Sequence, residues 1–320
     1  MKEIRKVLVI QLGGIGELVL AFPAFARIRE AHPKAKITLL TVQEFASLAK
    51  SSAYFNEVET DGRPAGPAAW LGLIARLRRA KYDRVYDLQN DAGATLIFEA
   101  LRPFPPEWSG TAPGCALPHR NPERRKMHPL ERHAEQLMEA GIWPDAPTRP
   151  LAAPPPDISW ILSSAKTKAP AAGSQRPVVI LAPGGTRPEK RWPPELYGGL
   201  AERLQQAGFD IVVIGALNES PLAHAIQRKA SRTRDLTGRT DFAQVATLGA
   251  RAALAVGNDS GAMHLIAAAG APTLALFSAA SDPAISGPRG HVTVLQSQDL
   301  KNLSVETVAR AALGLAQQPS

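Results

Sequence analysis

A polar turn between two apolar segments carries the residues with the clearest chemical potential. Asp259, Ser260 and Gly261 follow the apolar run 252–256 and precede an apolar, helix-favouring segment. Asp259 or Ser260 can cap that helix, and Gly261 lets a ligand approach the backbone. Helix N-termini bind anions through free N–H groups. The turn therefore predicts either an ordinary capped strand–helix turn or a phosphate site, with His264 one turn into the helix.

Two further loops follow strand-like runs and carry hydroxyl or ionisable side chains. In a parallel sheet these loops lie at the same edge as the first turn, so all three could line one pocket. Lysine and arginine there would bind phosphates, and an acid would accept hydrogen bonds from sugar or ribose hydroxyls. Taken singly, the same residues also fit solvated charges, a helix N-terminal acid and a core histidine. The candidates are Thr186, Lys190 and Arg191 in loop 184–192, and Glu219 in loop 215–220.

A glycine-containing loop near the N-terminus offers one carboxylate, Glu17, at the carboxyl end of the first apolar run, 6–11. Ligands of open α/β sheets bind at that edge. The loop lacks the G-x-G-x-x-G spacing of a dinucleotide site, because Val19 stands where the last glycine is needed, and Thr41 rather than an acid ends the second strand. An NAD enzyme is therefore disfavoured. The glycines of the loop are Gly13, Gly14 and Gly16.

Two series of alternating strands and helices must position these loops, which predicts an α/β protein of two Rossmann-like domains. Residues 144–177 are rich in proline, alanine and serine and form the candidate linker between domains 1–168 and 169–320. We expect strands at 6–11, 37–41, 84–88, 178–181, 210–214, 252–256 and 272–277. Helices are expected at 18–31, 70–80, 158–166, 195–206, 262–269 and 305–315, with loops at 102–129 and 278–288.

The composition is that of a globular protein with a basic balance. The chain has 320 residues, 45% hydrophobic and 21% charged, and a net charge of +8. No stretch approaches the roughly 20 apolar residues of a membrane span. The N-terminus lacks signal-peptide features, and the single cysteine, Cys115, excludes an internal disulfide. These features predict a cytoplasmic protein.

One segment, 118–132, is rich in arginine and histidine, and only Glu123 and Glu131 offset its cations. It represents either a solvated face or a contact surface for an anionic acceptor or membrane headgroups. Low aromatic content and the absence of nucleic-acid-binding motifs disfavour nucleic acid as a partner. His119, His128 and His133 have irregular spacing without a close carboxylate pair, so no metal site is predicted.

Taken together, the motifs resemble those of glycosyltransferase family 9, the heptosyltransferase-type enzymes that build the inner core of lipopolysaccharide. The similarity covers nearly the whole chain. Residues 258–264 are its most specific part, and 190–193 come next. The remaining motifs are 7–10 with Gly16, Glu17 and Pro23, and 215–219.

This resemblance implies a GT-B architecture, with an acceptor-binding N-terminal domain, a nucleotide-sugar-binding C-terminal domain and a cleft between them. It also implies an ADP-heptose donor, an inverting reaction without a metal or cofactor, an anionic glycolipid acceptor, and a terminal helix that returns to the N-terminal domain. Glu17 would be the base, and Lys190 would stabilise the departing ADP. Glu219 would contact the ribose or sugar, while Asp259, Ser260, Gly261 and His264 would shape the donor site.

The chain departs from the family pattern at Glu17, where an aspartate is usual. Either carboxylate can accept a proton, but the extra methylene moves its oxygens by over about 1 Å, which can cost on the order of 10²-fold in rate. The acceptor is therefore placed differently, or a second group shares the role. A non-catalytic nucleotide-sugar-binding protein is the alternative to an enzyme.

Overall fold

The chain divides into two compact units, Met1–Pro154 and Pro155–Ser320. The computed structural model describes residues 3–144, 153–163 and 176–317. The predicted boundary at 168/169 and most of the predicted linker 144–177 lie outside the described residues. None of the helices in the described residues is long and apolar enough to cross a membrane.

The first unit is a parallel sheet with strand order β3-β2-β1-β4-β5-β6. Its strands are β1 (Lys6–Ile10), β2 (Lys36–Leu40), β3 (Glu57–Glu59), β4 (Arg84–Asp87), β5 (Glu107–Gly110) and β6 (Leu117–Pro118). Its helices are α1 (Ile15–Leu20), α2 (Phe22–Ala31), α3 (Ala46–Ser51), α4 (Pro67–Ala80), α5 (Ala92–Ala100) and α6 (Pro129–Glu139), with 3₁₀ turns at Gln43–Phe45 and Arg124–Lys126.

The second unit is a parallel sheet with strand order β12-β11-β10-β7-β8-β9. Its helices are α7 (Ser159–Leu162), α8 (Pro194–Gln206), α9 (Ser220–Gln227), α10 (Phe242–Gly249), α11 (Gly261–Ala268), α12 (Pro283–Ser286) and α13 (Val305–Ala316). Its strands are β7 (Val178–Ala182), β8 (Asp210–Val213), β9 (Arg234–Asp235), β10 (Leu254–Asn258), β11 (Thr273–Ser278) and β12 (Val292–Ser297); 3₁₀ turns lie at Pro188–Lys190, Leu217–Glu219 and Leu300–Asn302.

Both sheets have the Rossmann strand order, counted within each unit as 3-2-1-4-5-6. The order reverses between β1 and β4 in the first sheet and between β7 and β10 in the second. Ligands of such sheets bind at this switch point, outside the carboxyl ends of the strands. The loop with Glu17 follows β1, the loop with Lys190 follows β7, and the turn with Asp259 follows β10, so all three lie at a switch point.

The core of the second unit explains the position of the C-terminal helix. Strands β7, β8, β10 and β11 present alternate apolar side chains to α8, α9 and α13. Helix α13 buries Val308, Ala309, Ala312 and Leu315 in this core. Its apolar face is therefore used within the second unit.

The fold differs from the sequence-based expectation at several places. Elements that were not expected are β3, β9, α3, α5, α6 and, inside the expected loop 278–288, α12. The single helix expected at 18–31 is broken at Ala21 into α1 and α2, because Pro23 has no N–H to donate to the preceding turn. The expected loop 102–129 contains β5 and β6, and β12 was not predicted. Strand β5 was missed because it is short and is recognisable only by its pairing with β4. Strand β12 was missed because it lies at the sheet edge, where its side chains are partly exposed.

Candidate functional site

An ion pair joins the two loops at the switch point of the second unit. Lys190 Nζ donates to Asp259 Oδ2 at 2.5 Å, and the two side chains are 15% and 8% exposed. Asp259 continues from β10, its N–H donating to the Leu276 carbonyl, and Lys190 ends the 3₁₀ turn after β7. Neither Asp259 nor Ser260 caps α11 with its side chain, so Asp259 serves Lys190 instead of the helix.

Asn258 binds the same two loops together below the ion pair. Its side-chain oxygen accepts from the Trp192 N–H and the Tyr197 hydroxyl, both at 3.0 Å. Its amide donates to the carbonyls of Pro183 and Gly184 at 2.8 and 3.1 Å. All of the hydrogen-bonding groups of this buried side chain are used, so its position is set by both loops. Asn258 was expected only as part of the motif 258–264, and the available signal for its role was a polar residue closing an apolar strand.

Glu219 closes a third loop against the first. Its Oε2 accepts from the Ala216 N–H at 2.9 Å and its Oε1 from the Gly185 N–H at 3.2 Å. A Cβ at Gly184 would lie 2.1 Å from Glu219 Oε1, so the glycine makes room for the carboxylate. The structure thus brings together the three loops expected at one edge.

The remaining residues of the loop after β7 differ in their exposure. Arg191 donates through Nε to the Gly185 carbonyl at 2.8 Å and is half-buried. Its guanidinium therefore holds the loop in shape. Thr186 is exposed. Arg187, which the sequence analysis did not single out, donates to the Ala280 carbonyl at 2.7 Å and connects this loop to the end of β11.

The N-terminus of α11 carries no side-chain cap. Ser260 is the N-cap in extended conformation and makes no side-chain capping bond, whereas Asp241 and Ser304 do cap α10 and α13. The Met263 N–H donates to the Ser260 carbonyl at 3.2 Å, so the N–H groups of Gly261 and Ala262 are the ones left for solvent or a ligand. Gly261 is its half-buried first residue, and His264 is buried one turn further along.

Glu17 lies in the first turn of α1, rather than in the loop before a helix. Its exposed carboxylate accepts from the Gly14 N–H at 3.2 Å, and a Cβ at Gly13 would lie 1.6 Å from Glu17 Oε2. Gly14 is the exposed N-cap, and Gly16 is buried in the same turn. The glycines thus leave the space that the carboxylate occupies, at the carboxyl edge of β1.

A buried polar network lies beside this loop, at the end of β4. Asp87 is fully buried, and burial raises its pKa to about 7 despite the hydrogen bond that its Oδ1 accepts from the Asn90 N–H at 2.8 Å. Gln136 of α6 joins the Asp87 carbonyl to the Asn90 side chain. Gln89 Oε1 accepts from the Leu12 N–H at 2.7 Å and ties the network to the loop after β1. The polar run 89–91 after a strand was the missed sequence signal.

The basic segment before α6 divides into buried histidines and exposed cations. His119 Nε2 lies 3.0 Å from Glu135 Oε2, and burial lowers the pKa of His133 to about 3. Arg132 is half-buried; burial lowers its pKa, and the charge of Glu17 opposes that effect. The exposed cations of the segment are Arg120, Arg125 and Lys126. Among the described residues, no three His, Cys, Asp or Glu side chains are placed to hold a metal ion.

Comparison with known proteins agrees with this architecture. The chain is 28% identical over 302 residues to lipopolysaccharide heptosyltransferase 2 of Escherichia coli strain K12. The aligned region covers 89% of this chain and 86% of the relative. A family 9 glycosyl transferase from Veillonella parvula superposes with a TM-score of 0.80 at 20% identity, over 98% of both chains. The E. coli heptosyltransferase WaaC with ADP superposes with a TM-score of 0.74 at 20% identity, over 96% of this chain and 98% of the other.

Two doubly wound α/β domains are the GT-B fold, which this chain shares with the heptosyltransferase WaaC. The profile of glycosyltransferase family 9 (heptosyltransferase) matches residues 70–308. The chain belongs to this family and is a glycosyltransferase.

Proposed function

We propose that the protein transfers a heptose, or a related sugar, from an ADP-linked donor to a hydroxyl group of a lipopolysaccharide inner core. The observation that carries the proposal is the Lys190–Asp259 pair beside the uncapped N-terminus of α11. An ammonium group and free N–H groups at a switch point form a site for a diphosphate. The name of the E. coli relative supports lipopolysaccharide as the acceptor, and the ADP in WaaC supports the nucleotide.

In the proposed donor site, Lys190 and the N-terminus of α11 bind the diphosphate and stabilise the charge that develops on it as ADP leaves. Asp259 holds the Lys190 ammonium in position. Glu219 and Thr186 face the ribose or the sugar, and Arg191 keeps the loop after β7 in its binding shape. His264 completes the wall of the site one turn into α11.

In the proposed transfer step, Glu17 accepts the proton of the acceptor hydroxyl. The hydroxyl oxygen forms a bond to the anomeric carbon while the bond from that carbon to the diphosphate breaks, and the electron pair leaves with ADP. Attack in line with the leaving group inverts the anomeric centre. Gly14 supports this role, because its N–H holds the carboxylate of Glu17 at the carboxyl edge of β1.

The proposed reaction uses no metal or cofactor, because Lys190 and the backbone donors of α11 supply the positive charge that a divalent ion would otherwise provide. We propose that the acceptor is an anionic glycolipid presented at the inner face of the cytoplasmic membrane, and that the exposed cations Arg120, Arg125 and Lys126 attract the charge of its sugar core. Nucleic acid is not proposed as a partner.

A mass-spectrometric screen tests the proposal. Nucleotide-sugar donors are combined with truncated lipopolysaccharide cores in excess EDTA, using the wild-type protein and Glu17→Gln. We expect a heptose-sized mass increase with ADP-heptose and wild type, and none with the variant. A requirement for added metal contradicts the metal-free step. Binding of the donor without transfer to any acceptor favours the non-catalytic alternative.

A further inference from the structure

The large apolar side chains that the first unit exposes are carried by neighbouring elements, because α4 and α5 pack into the same core cluster and Arg78 of α4 donates to the Ala100 carbonyl at the end of α5. Within the described residues of that unit they are Leu71 on α4, Leu96 on α5 and Phe104 in the loop after α5, which are 67%, 58% and 91% exposed. Single exposed apolar residues are ordinary, but a group on adjacent elements indicates an interaction surface.

The helices that carry these residues are apolar on both sides. Their inner side packs Leu73, Ile74 and Phe98 onto the sheet. Their outer side, where a surface helix normally places charged residues, is mainly alanine, glycine and leucine. The solvent-facing residues of this α4–α5 face are Pro67, Ala68, Ala69, Leu71, Gly72, Ala75, Arg78, Arg79, Ala92, Gly93, Leu96 and Glu99.

The charge at one end of the α4–α5 face is positive. Helix α4 contains no aspartate or glutamate. Arg78, Arg79 and Lys81 at its C-terminal end have no carboxylate partner among the described residues, although Arg78 donates to the Ala100 carbonyl. Glu99 is neutralised by Arg102 at 2.9 Å. Apolar side chains bordered by unpaired cations match a bilayer with anionic headgroups.

The loop after α5 is suited to enter the headgroup region. Phe104 projects from the sequence 102–106, in which three of the other four residues are proline. Proline has no N–H group, so this backbone has few donors to desolvate on leaving water. An aromatic side chain on such a loop gains from transfer into the interface.

We propose that the α4–α5 face, together with Phe104, docks on an anionic lipid bilayer. The role of this docking rests on the proposed function, because a lipid-anchored acceptor is presented at a membrane surface.

Vesicle flotation of the full chain tests the proposal directly. We expect wild type to float with vesicles of phosphatidylethanolamine and phosphatidylglycerol, but not with phosphatidylcholine, and to dissociate as salt is raised. Leu71→Ser/Leu96→Ser/Phe104→Ser should weaken binding at least about tenfold, from the loss of buried apolar area. Arg79→Glu/Lys81→Glu should weaken it at least about fivefold per charge.

Matched controls are available on the second unit. Leu162→Ser/Val294→Ser removes exposed apolar side chains, and Arg232→Glu/Arg251→Glu reverses exposed charges. Both should float like wild type, and circular dichroism confirms that every variant is folded. The proposal is overturned if wild type does not float, or if the triple variant floats as well as wild type. It is also overturned if the same variants abolish a dimer of wild type, because the face then binds a second copy.

The test separates this proposal from the proposed function. Transfer to a soluble core oligosaccharide should be unchanged in the triple variant, whereas transfer to a vesicle-embedded acceptor should fall with binding. If neither wild type nor any variant transfers sugar, but the variants of the α4–α5 face lose flotation and the control variants keep it, the proposed function fails and the docking surface stands. If transfer to the vesicle-embedded acceptor is unchanged when binding is lost, the link between docking and catalysis is wrong.

Discussion

Lys190 Nζ and Asp259 Oδ2 are 2.5 Å apart, although 69 positions separate the two residues in sequence. Their side chains are mostly withdrawn from water, at 15% and 8% exposure. A charge in such surroundings is costly without its partner, so each residue fixes the other. An arriving diphosphate would therefore meet an ammonium group that is already positioned beside α11.

Single replacements of this pair should differ from the double replacement. Asp259→Asn leaves Lys190 without its carboxylate and should lower the free energy of unfolding by on the order of 3 kcal/mol. Lys190→Met/Asp259→Asn should regain part of that stability, because no unpaired charge remains. ADP binding should be weak in every variant that lacks Lys190. Urea unfolding and calorimetric titration with ADP measure the two effects, and additive losses of stability would contradict a coupled pair.

Gly184 should tolerate no side chain, whereas Gly185 should tolerate the methyl group of alanine. In Gly184→Ala the new Cβ would lie 2.1 Å from Glu219 Oε1 and must displace the carboxylate. In Gly185→Ala the nearest atom is Arg191 Cγ at 3.5 Å, an ordinary contact. We expect Gly184→Ala to weaken binding of the donor and Gly185→Ala to leave it close to wild type, as measured by titration with ADP-heptose. Equal affinities would show that the Glu219 position does not matter for the donor.

The length of the Glu17 side chain can be tested against its chemistry. Glu17→Gln keeps an oxygen that can accept from the Gly14 N–H but cannot take a proton, so the transfer rate should fall by about 10²-fold or more. Glu17→Asp keeps the base and should retain more activity than the amide. ADP affinity should be unchanged in both, since Lys190 and Asp259 are intact. Similar rates for Glu17→Gln and wild type would remove Glu17 from the base role.

Stability should depend on pH through Asp87. Burial raises the pKa of its carboxyl to about 7 from an ordinary 3.8, so between these values the native state keeps a proton that the unfolded state has lost. The contribution of Asp87 to the free energy of unfolding is fully present below the pKa of its carboxyl in the unfolded state. It is lost as pH rises towards the native pKa of about 7, by up to about 1.4 kcal/mol per pH unit.

Comparison with Asp87→Asn isolates this contribution from those of His32 and His133. Burial lowers the pKa of these two histidines to about 4 and about 3, and their effect on stability has the opposite sign. The free energy of unfolding of wild type, relative to the variant, should fall between pH 5 and pH 7 in calorimetry or urea titration. A relative stability that stays constant over this range would mean that the buried carboxyl is already ionised in the native state.

Local patterns were sufficient for much of the fold. The all-apolar runs predicted β1, β7, β8, β10 and β11 to within about two residues, because central parallel strands are buried on both faces. Gly270, with a φ of +93°, ends α11 as its sequence indicated. Strand β6 contains Pro118 and lies at a sheet edge, so no local apolar pattern marked it.

Residue type and position after a strand were enough, by themselves, to place Glu17, Lys190, Glu219 and Asp259 at the carboxyl edges of two doubly wound sheets. Tertiary structure alone decided their partners: Lys190 with Asp259, Glu219 with the Gly185 N–H, and Asn258 with both switch-point loops. It also decided that α13 completes the second core. The physical reason is that hydrophobic periodicity is a property of neighbouring residues, whereas a hydrogen bond or ion pair depends on where the sheet register brings distant loops together.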